Sequence, residues 1–322
     1  MTPRKEGEFG FALLLWICVP PVLGQTAGVV SAGPAKHSAP IELIHDKPYV
    51  AVMVNGRGPY RFLIDTGTGA QALVTPQLVT ELALPTVGHA RLTDPTGEGD
   101  QKSAIVWIDS LNVAGLEFQE VEAVQHRLFG EEQRCQGVLG FRLFEDYLMT
   151  LDYPKRRLLL TSGLLDTGGS LLPFHLEDGV PVVTLQIDKL SVDAQIDTGG
   201  TGLSLPDAIA EQLLFESPPA EYAIAESLAT RFHVKAARLK PDVQFGPYVF
   251  REAFVEVNSA FPIVNIGSTP LSNFAITFDQ HEGMMRLYGK EKVLHLNAAP
   301  TPLKMGNEPR DRASDPKLVP VG

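Results

Sequence analysis

Cysteine is almost missing from this chain: Cys18 and Cys135 are the two cysteines among 322 residues. No Cys-x-x-Cys pair exists to hold zinc or run a dithiol cycle, and two thiols are too few for a disulfide scaffold. The eight histidines are scattered, and His281-Glu282 lacks the second histidine of a metalloprotease helix. No metal and no cofactor are therefore expected. Positive charge is also short, with 27 Lys plus Arg against 38 Asp plus Glu and a net charge of -11. A phosphate-backbone binder needs a basic face, so nucleic acid is excluded as an expected partner. Past the N-terminus no apolar run approaches the length of a membrane span.

What is present is a globular composition, 44% hydrophobic and 20% charged, with enough chain for two cores. Arg4 and Lys5 precede an apolar run from Phe9 to Val19, then Pro20, Pro21 and small residues up to Ala27. That layout reads as a secretory signal peptide over 1–27, cut near Gly24 or Ala27, with an uncleaved anchor as the alternative. The mature protein is then periplasmic or secreted. Removal of the leader takes Cys18 with it, leaving Cys135 as a lone thiol that reads as a small buried hydrophobe.

The chain repeats itself. Tyr49 to Asp65 aligns without gaps on Pro181 to Asp197, and Gly140 to Asp152 aligns without gaps on Gly267 to Asp279. Each copy reads as strand, tight turn, strand, with turns at Asn55-Gly56 and Asp188-Lys189, and each second strand stops at Asp-Thr-Gly. A short Pro-led helical patch follows each, at Pro76 with Leu78 and Leu82 and at Pro206 with Ile209 and Leu213. The rest is short β-branched runs: 103–108, 120–125, 148–151, 157–161, 182–187, 249–257, 275–278 and 284–288. The expected architecture is all-β and mainly antiparallel, in two equivalent lobes at 41–162 and 171–290. A linker at 163–170 joins them, and a loose tail follows at 291–322. A propeptide between 28 and about 40 is left open.

A carboxylate at the end of a buried apolar strand is costly without partners, and here there are two, Asp65 after Phe62-Leu63-Ile64 and Asp197 after Ala194-Gln195-Ile196. Gly67 and Gly199 permit a sharp turn and close approach, and Thr66 and Thr198 bring hydroxyls for neighbouring backbone. Lobes related by a pseudo-twofold axis deliver both acids to one place. Two carboxylates in contact share one proton, which makes a general base and a general acid in one site. Such a pair activates a water for attack on an amide carbonyl.

The motifs Phe62-Leu-Ile-Asp-Thr-Gly-Thr68 and Gln195-Ile-Asp-Thr-Gly-Gly200, with Gly137-Val-Leu-Gly140 and Val264-Asn-Ile-Gly267 downstream, resemble the aspartic proteases of the pepsin and retropepsin type. The resemblance covers both lobes and looks closer to two retropepsin-like units in tandem. It implies a two-lobed acid-protease fold with pseudo-twofold symmetry and few short helices, and a polypeptide substrate in the cleft between the lobes. It further implies a monomeric enzyme with Asp65 and Asp197 as the catalytic dyad. Thr66, Gly67, Thr68, Thr198 and Gly199 are the supporting residues it implies, with Thr68 bonded to its aspartate. Gly200 stands where that threonine should recur, which puts the second loop in doubt, and Thr201 is the nearest substitute. A flap is expected between about Gly88 and Val106, tipped at Asp94 to Asp100. The matching stretch of the second lobe, 223–234, has no glycine, so a single flap is expected.

Two stretches imitate the motifs. A third Asp-Thr-Gly at Asp166 to Gly168 falls in the linker and reads as a solvated turn. Gly67-Thr-Gly69-Ala-Gln-Ala72 fits a degenerate dinucleotide fingerprint but lacks the following acid and the strand-helix series. Alternatives for the pair itself are turn aspartates without chemistry, a weak or inactive module that binds peptides, and a homodimer that uses Asp65 from each chain.

Overall fold

The computed structural model describes residues 15–16, 36–92, 101–128, 135–166, 168, 170–226 and 231–296. It is mainly β, in three sheets, with few and short helices, which is the expected all-β class. The segment expected to be a signal peptide, apart from Leu15–Trp16, the expected flap tip at Asp94 to Asp100 and the tail beyond 296 lie outside the described residues.

The first sheet has nine strands. From one edge its order is Leu15–Trp16, Thr86–Leu92, Gln101–Val113, Leu116–Gln125, Ala72–Val74, Gly137–Gly140, Arg57–Asp65, Lys47–Val54 and Glu42–Ile44. Gln101–Val113 also pairs with Lys47–Val54, which curls the sheet back on itself. The eleven-stranded sheet repeats this plan with Ala220–Glu226, Arg231–Arg238, Phe254–Asn258, Leu203–Pro206, Val264–Ile266, Leu190–Ile196 and Val180–Ile187 in order. In both, the strand that leads to the Asp-Thr-Gly lies parallel to the later Gly-x-x-Gly-type segment, Gly137–Gly140 or Val264–Ile266.

A six-stranded sheet joins the halves in the order Leu171–Pro173, Met284–Gly289, Phe274–Asp279, Leu148–Asp152, Arg157–Thr161 and Lys36–Pro40. Its centre is where the two copies meet. Thr150 stands opposite Thr277, its own equivalent in the repeat, while Met149 pairs with Phe278 and Leu151 with Ile276. A twofold axis between the two threonines generates that pattern, and their hydroxyls hydrogen-bond at 2.8 Å. Below this sheet one apolar core runs through both halves, with Phe141 edge-on to Phe278 at 5.1 Å between ring centroids.

Local chemistry explains the elements near the site. Asn55 and Gly56 both take positive φ, 47° and 71°, as a tight hairpin turn between twisted strands requires. The helix Pro76–Leu82 opens with Thr75 as its cap, accepting from Leu78 N–H, and with proline at the first turn, where its missing N–H is harmless.

Several sequence expectations change. Pro206 caps the second helix instead of opening it, and that helix is the shorter Asp207–Ala210. The run 249–257 is two strands, Tyr248–Arg251 and Phe254–Asn258, broken at Glu252, whose φ is 54°. Lys36–Pro40 belongs to the six-stranded sheet, paired with Arg157–Thr161, so the ordered chain starts before 41. It also passes Lys290, because Val293–His295 pairs with Tyr248–Arg251. The second half carries a hairpin too, Ala220–Glu226 with Arg231–Arg238, in the place of Thr86–Leu92 with Gln101–Val113. A four-residue connection needs no glycine, which is why the residue pattern concealed it. Among the described residues no helix is long and apolar enough to cross a membrane.

Candidate active site

Asp65 is the last residue of the strand Arg57–Asp65 and is 7% exposed, while Thr66 and Thr198 are fully buried. The two Asp-Thr-Gly turns clasp one another. Thr66 N–H donates to Thr198 Oγ1 at 3.0 Å, and Thr198 N–H donates to Thr66 Oγ1 at 3.1 Å. Each hydroxyl then donates to a carbonyl of the opposite half, Thr66 to Ile196 O at 2.6 Å and Thr198 to Ile64 O at 2.7 Å. Four buried backbone groups of two distant segments are thus satisfied by two side chains. Buried polar groups are costly when unmet, so the pairing fixes how the turns face each other.

That clasp sets the carboxylates against the opposite turn. A Cβ added to Gly199 would stand 2.6 Å from Asp65 Oδ2, and one added to Gly67 would stand 2.6 Å from Asp197 Oδ1. Real side chains do not tolerate such contacts, so glycine is required at both positions by the neighbouring acid, not by backbone conformation. Each acid therefore stands against the turn that carries the other.

Each acid is held by its own turn. Asp65 Oδ1 accepts from Gly67 N–H at 2.8 Å and Oδ2 from the Thr68 hydroxyl at 2.8 Å. Asp197 Oδ1 accepts from Gly199 N–H at 2.9 Å and from Gly200 N–H at 2.8 Å. The oxygen that Thr68 serves in the first half is served in the second by Asn265, whose Nδ2 donates to Asp197 Oδ2 at 2.8 Å. Asn265 occupies the place of Val138, each standing on the parallel strand beside its own Asp-Thr-Gly turn. The donor lost at Gly200 has moved to a neighbouring strand. An asparagine inside the apolar run Val264-Asn-Ile-Gly267 was the signal for it.

Further residues steady the turns. Ser268 Oγ donates to Thr198 O at 2.5 Å, and Thr269 Oγ1 donates to Asp46 Oδ2 of the first half at 3.0 Å. Asp178 is the equivalent of Asp46 at the 132-residue offset that also separates Thr66 from Thr198, and its carbonyl packs directly against Gly69. Asp178 of the second half thus rests against the Asp65 turn, while Asp46 of the first half rests on the helix Ser268–Leu271, which in turn braces the Asp197 turn through Ser268. Tyr153 lies buried nearby. Burial holds its phenol far above the usual range; the Ser268 hydroxyl opposes this, and the charges of Asp46, Asp197 and Asp65 add to it.

The remaining sequence candidates lie elsewhere. Asp166 sits in the linker, where its Oδ1 accepts from Gly168 N–H at 2.9 Å and pairs with Arg286 at 2.7 Å. Cys135 is buried in a small apolar cluster. No group of described residues has the spacing of a metal site.

Replacing Asn265 by leucine is expected to lower kcat/KM by about 10–100-fold, the loss of one hydrogen bond to a charged group. The thermal unfolding curve should move little, because valine fills the equivalent slot of the first half. Unchanged kinetics would show that Asn265 is not the substitute donor.

Residues 50–143, which include Asp65 and its supporting turn, match a protein-family model described as aspartyl protease. The match supports protease chemistry of the hydrolase class for the chain. The segment with Asp197 lies beyond the matched residues. No curated protein matches the chain.

Proposed function

We propose that the chain is an aspartic endopeptidase of the tandem retropepsin-like kind, in which Asp65 and Asp197 activate one water between them. The observation that carries this reading is the crossed threonine pairing, which sets each carboxylate against the opposite turn. With one proton on the pair, the ionised carboxylate takes a proton from water as its oxygen attacks the amide carbon. The protonated carboxyl gives its proton to the carbonyl oxygen. As the C–N bond of the tetrahedral species breaks, the carboxyl that took the proton of water passes it to the leaving nitrogen and the other carboxylate takes a proton from a hydroxyl of the gem-diol, so the dyad again holds one proton. This chemistry belongs to the chain's own side chains and calls for no metal or cofactor.

A peptide-binding module without turnover draws its support from Gly200, and the Asn265 amide on Asp197 weakens that case. The leader over 1–27 supports export to the periplasm or the medium, and the presence of both acids in one chain supports action as a monomer. A statine-type mimic of the tetrahedral species is expected to stop acid-dependent digestion of an unfolded protein, since transition-state mimics bind far more tightly than substrates. A chelator is expected to leave it running. Peptide binding without cleavage at any pH would instead establish the module.

A further inference from the structure

The face that presents the two acids can be followed across each sheet by register. Side chains two apart on a strand share a face, so Leu63 stands with Asp65 and Gln195 with Asp197. In the first half the row beside Leu63 is Val138, Leu73, Val124 and Ile105. All are buried in a small apolar cluster separate from the main core. In the second half the same row is Gln195, Asn265, Ser204, Glu256 and Ala236. One wall beside the dyad is apolar throughout, while its twin is polar over four successive strands.

Two groups on the polar wall ask for donors. Asn265 is 4% exposed, and while its Nδ2 serves Asp197, its Oδ1 is buried with no hydrogen-bond partner among the described residues. Glu256 Oε2 accepts from Ser204 Oγ at 3.0 Å, and no described cation pairs with it. Partial burial pushes the Glu256 carboxyl above its ordinary range against the effect of Ser204, as expected for a half-buried acid with no described cation beside it. Two strand spacings separate Glu256 from Asn265, about 10 Å, the reach of a side chain flanking the bond held at the dyad. Phe254 stands on the same face, edge-on to Tyr222 at 5.6 Å between centroids, and offers an apolar ledge for the stem of a long side chain.

We propose that Glu256 is a specificity-determining residue that receives a lysine or arginine side chain of the substrate on the second-half side of the scissile bond, opposite an apolar residue held by the first-half wall. An apolar occupant would leave Glu256 and Asn265 Oδ1 desolvated and unmet. A basic one supplies several donors and the missing charge. The net charge of -11 draws cationic polypeptides the same way.

This inference rests on the peptidase reading, and the experiment separates the two. Digestion of a mixed peptide library, read by mass spectrometry, is expected to show Lys or Arg at one fixed position beside the cut and apolar residues across it. A matched pair of peptides with lysine or norleucine at that position then tests Glu256→Gln. The variant should lose roughly tenfold or more in kcat/KM on the lysine peptide and cleave the norleucine peptide at least as well as the wild type does, because a neutral amide costs less to desolvate beside an apolar side chain, and that cleavage also shows that it folds. Cleavage with no basic preference, or a preference that survives Glu256→Gln, overturns the assignment and leaves the peptidase reading intact. If neither peptide is cut but the lysine peptide binds more tightly, and only while Glu256 is present, the wall assignment holds and the peptidase reading falls.

Discussion

Asp65→Asn and Asp197→Asn are each expected to lower the rate of peptide hydrolysis by on the order of a thousandfold or more, about 4 kcal/mol of transition-state stabilisation. An amide keeps the shape of the carboxylate and most of its packing, so the fold should survive. What disappears is the shared proton. One carboxyl beside one amide can be a base or an acid in a given turnover, but the step needs both at once. The effect should be equally severe at either position, because the Gly67 and Gly199 contacts place each acid against the other's turn. A digestion time course on a denatured protein, with circular dichroism as the control for folding, measures it. An Asp197→Asn protein with undiminished activity would instead point to a homodimer built on Asp65.

The second large effect is expected from Thr198→Val. Valine matches threonine in shape but neither donates to Ile64 O nor accepts from Thr66 N–H. Two buried backbone groups lose their partner, at about 1–3 kcal/mol each. The loss should appear twice, as a lower midpoint in chemical denaturation and as a fall in kcat, since the same bonds hold the acids in register. Thr66→Val removes the mirror-image pair, and the double variant should be far from additive because both side chains form one network. Loss of stability with full kcat retained would mean that the clasp is structural alone.

Much of the site could be read from the residues because the repeat is gapless where chemistry is concentrated. Asp65 and Asp197 fall at the same point of the same strand-turn-strand unit, and their threonines and glycines come with them. The paired walls of the fold follow from alternating apolar residues such as Val50, Val52 and Val54, which reach the core face together. The less legible parts depend on contacts between segments distant in sequence. Asn265 stands 68 residues from Asp197 and replaces a hydroxyl that the first half keeps 3 residues from its own aspartate, so no local motif records the exchange. Lys36–Pro40 reads Lys-His-Ser-Ala-Pro and has no strand pattern; it is a strand because Arg157–Thr161 offers it an open edge. Glu252 breaks the run 249–257 through a left-handed backbone that glutamate gives no reason to expect. The hairpin of the second half lacks the glycine that marks tight turns, because its connection is long enough to do without one.

The same digestion assay, run on the Asp65→Asn/Asp197→Asn double variant beside the two single variants, most directly tests whether the acids act as one unit. If they share one proton and one water, removing the second acid takes away nothing that remained, and all three variants should show the same residual rate. A double variant slower than the wild type by the product of the two separate losses would mean that the two carboxylates work independently, and the shared-site account would be contradicted.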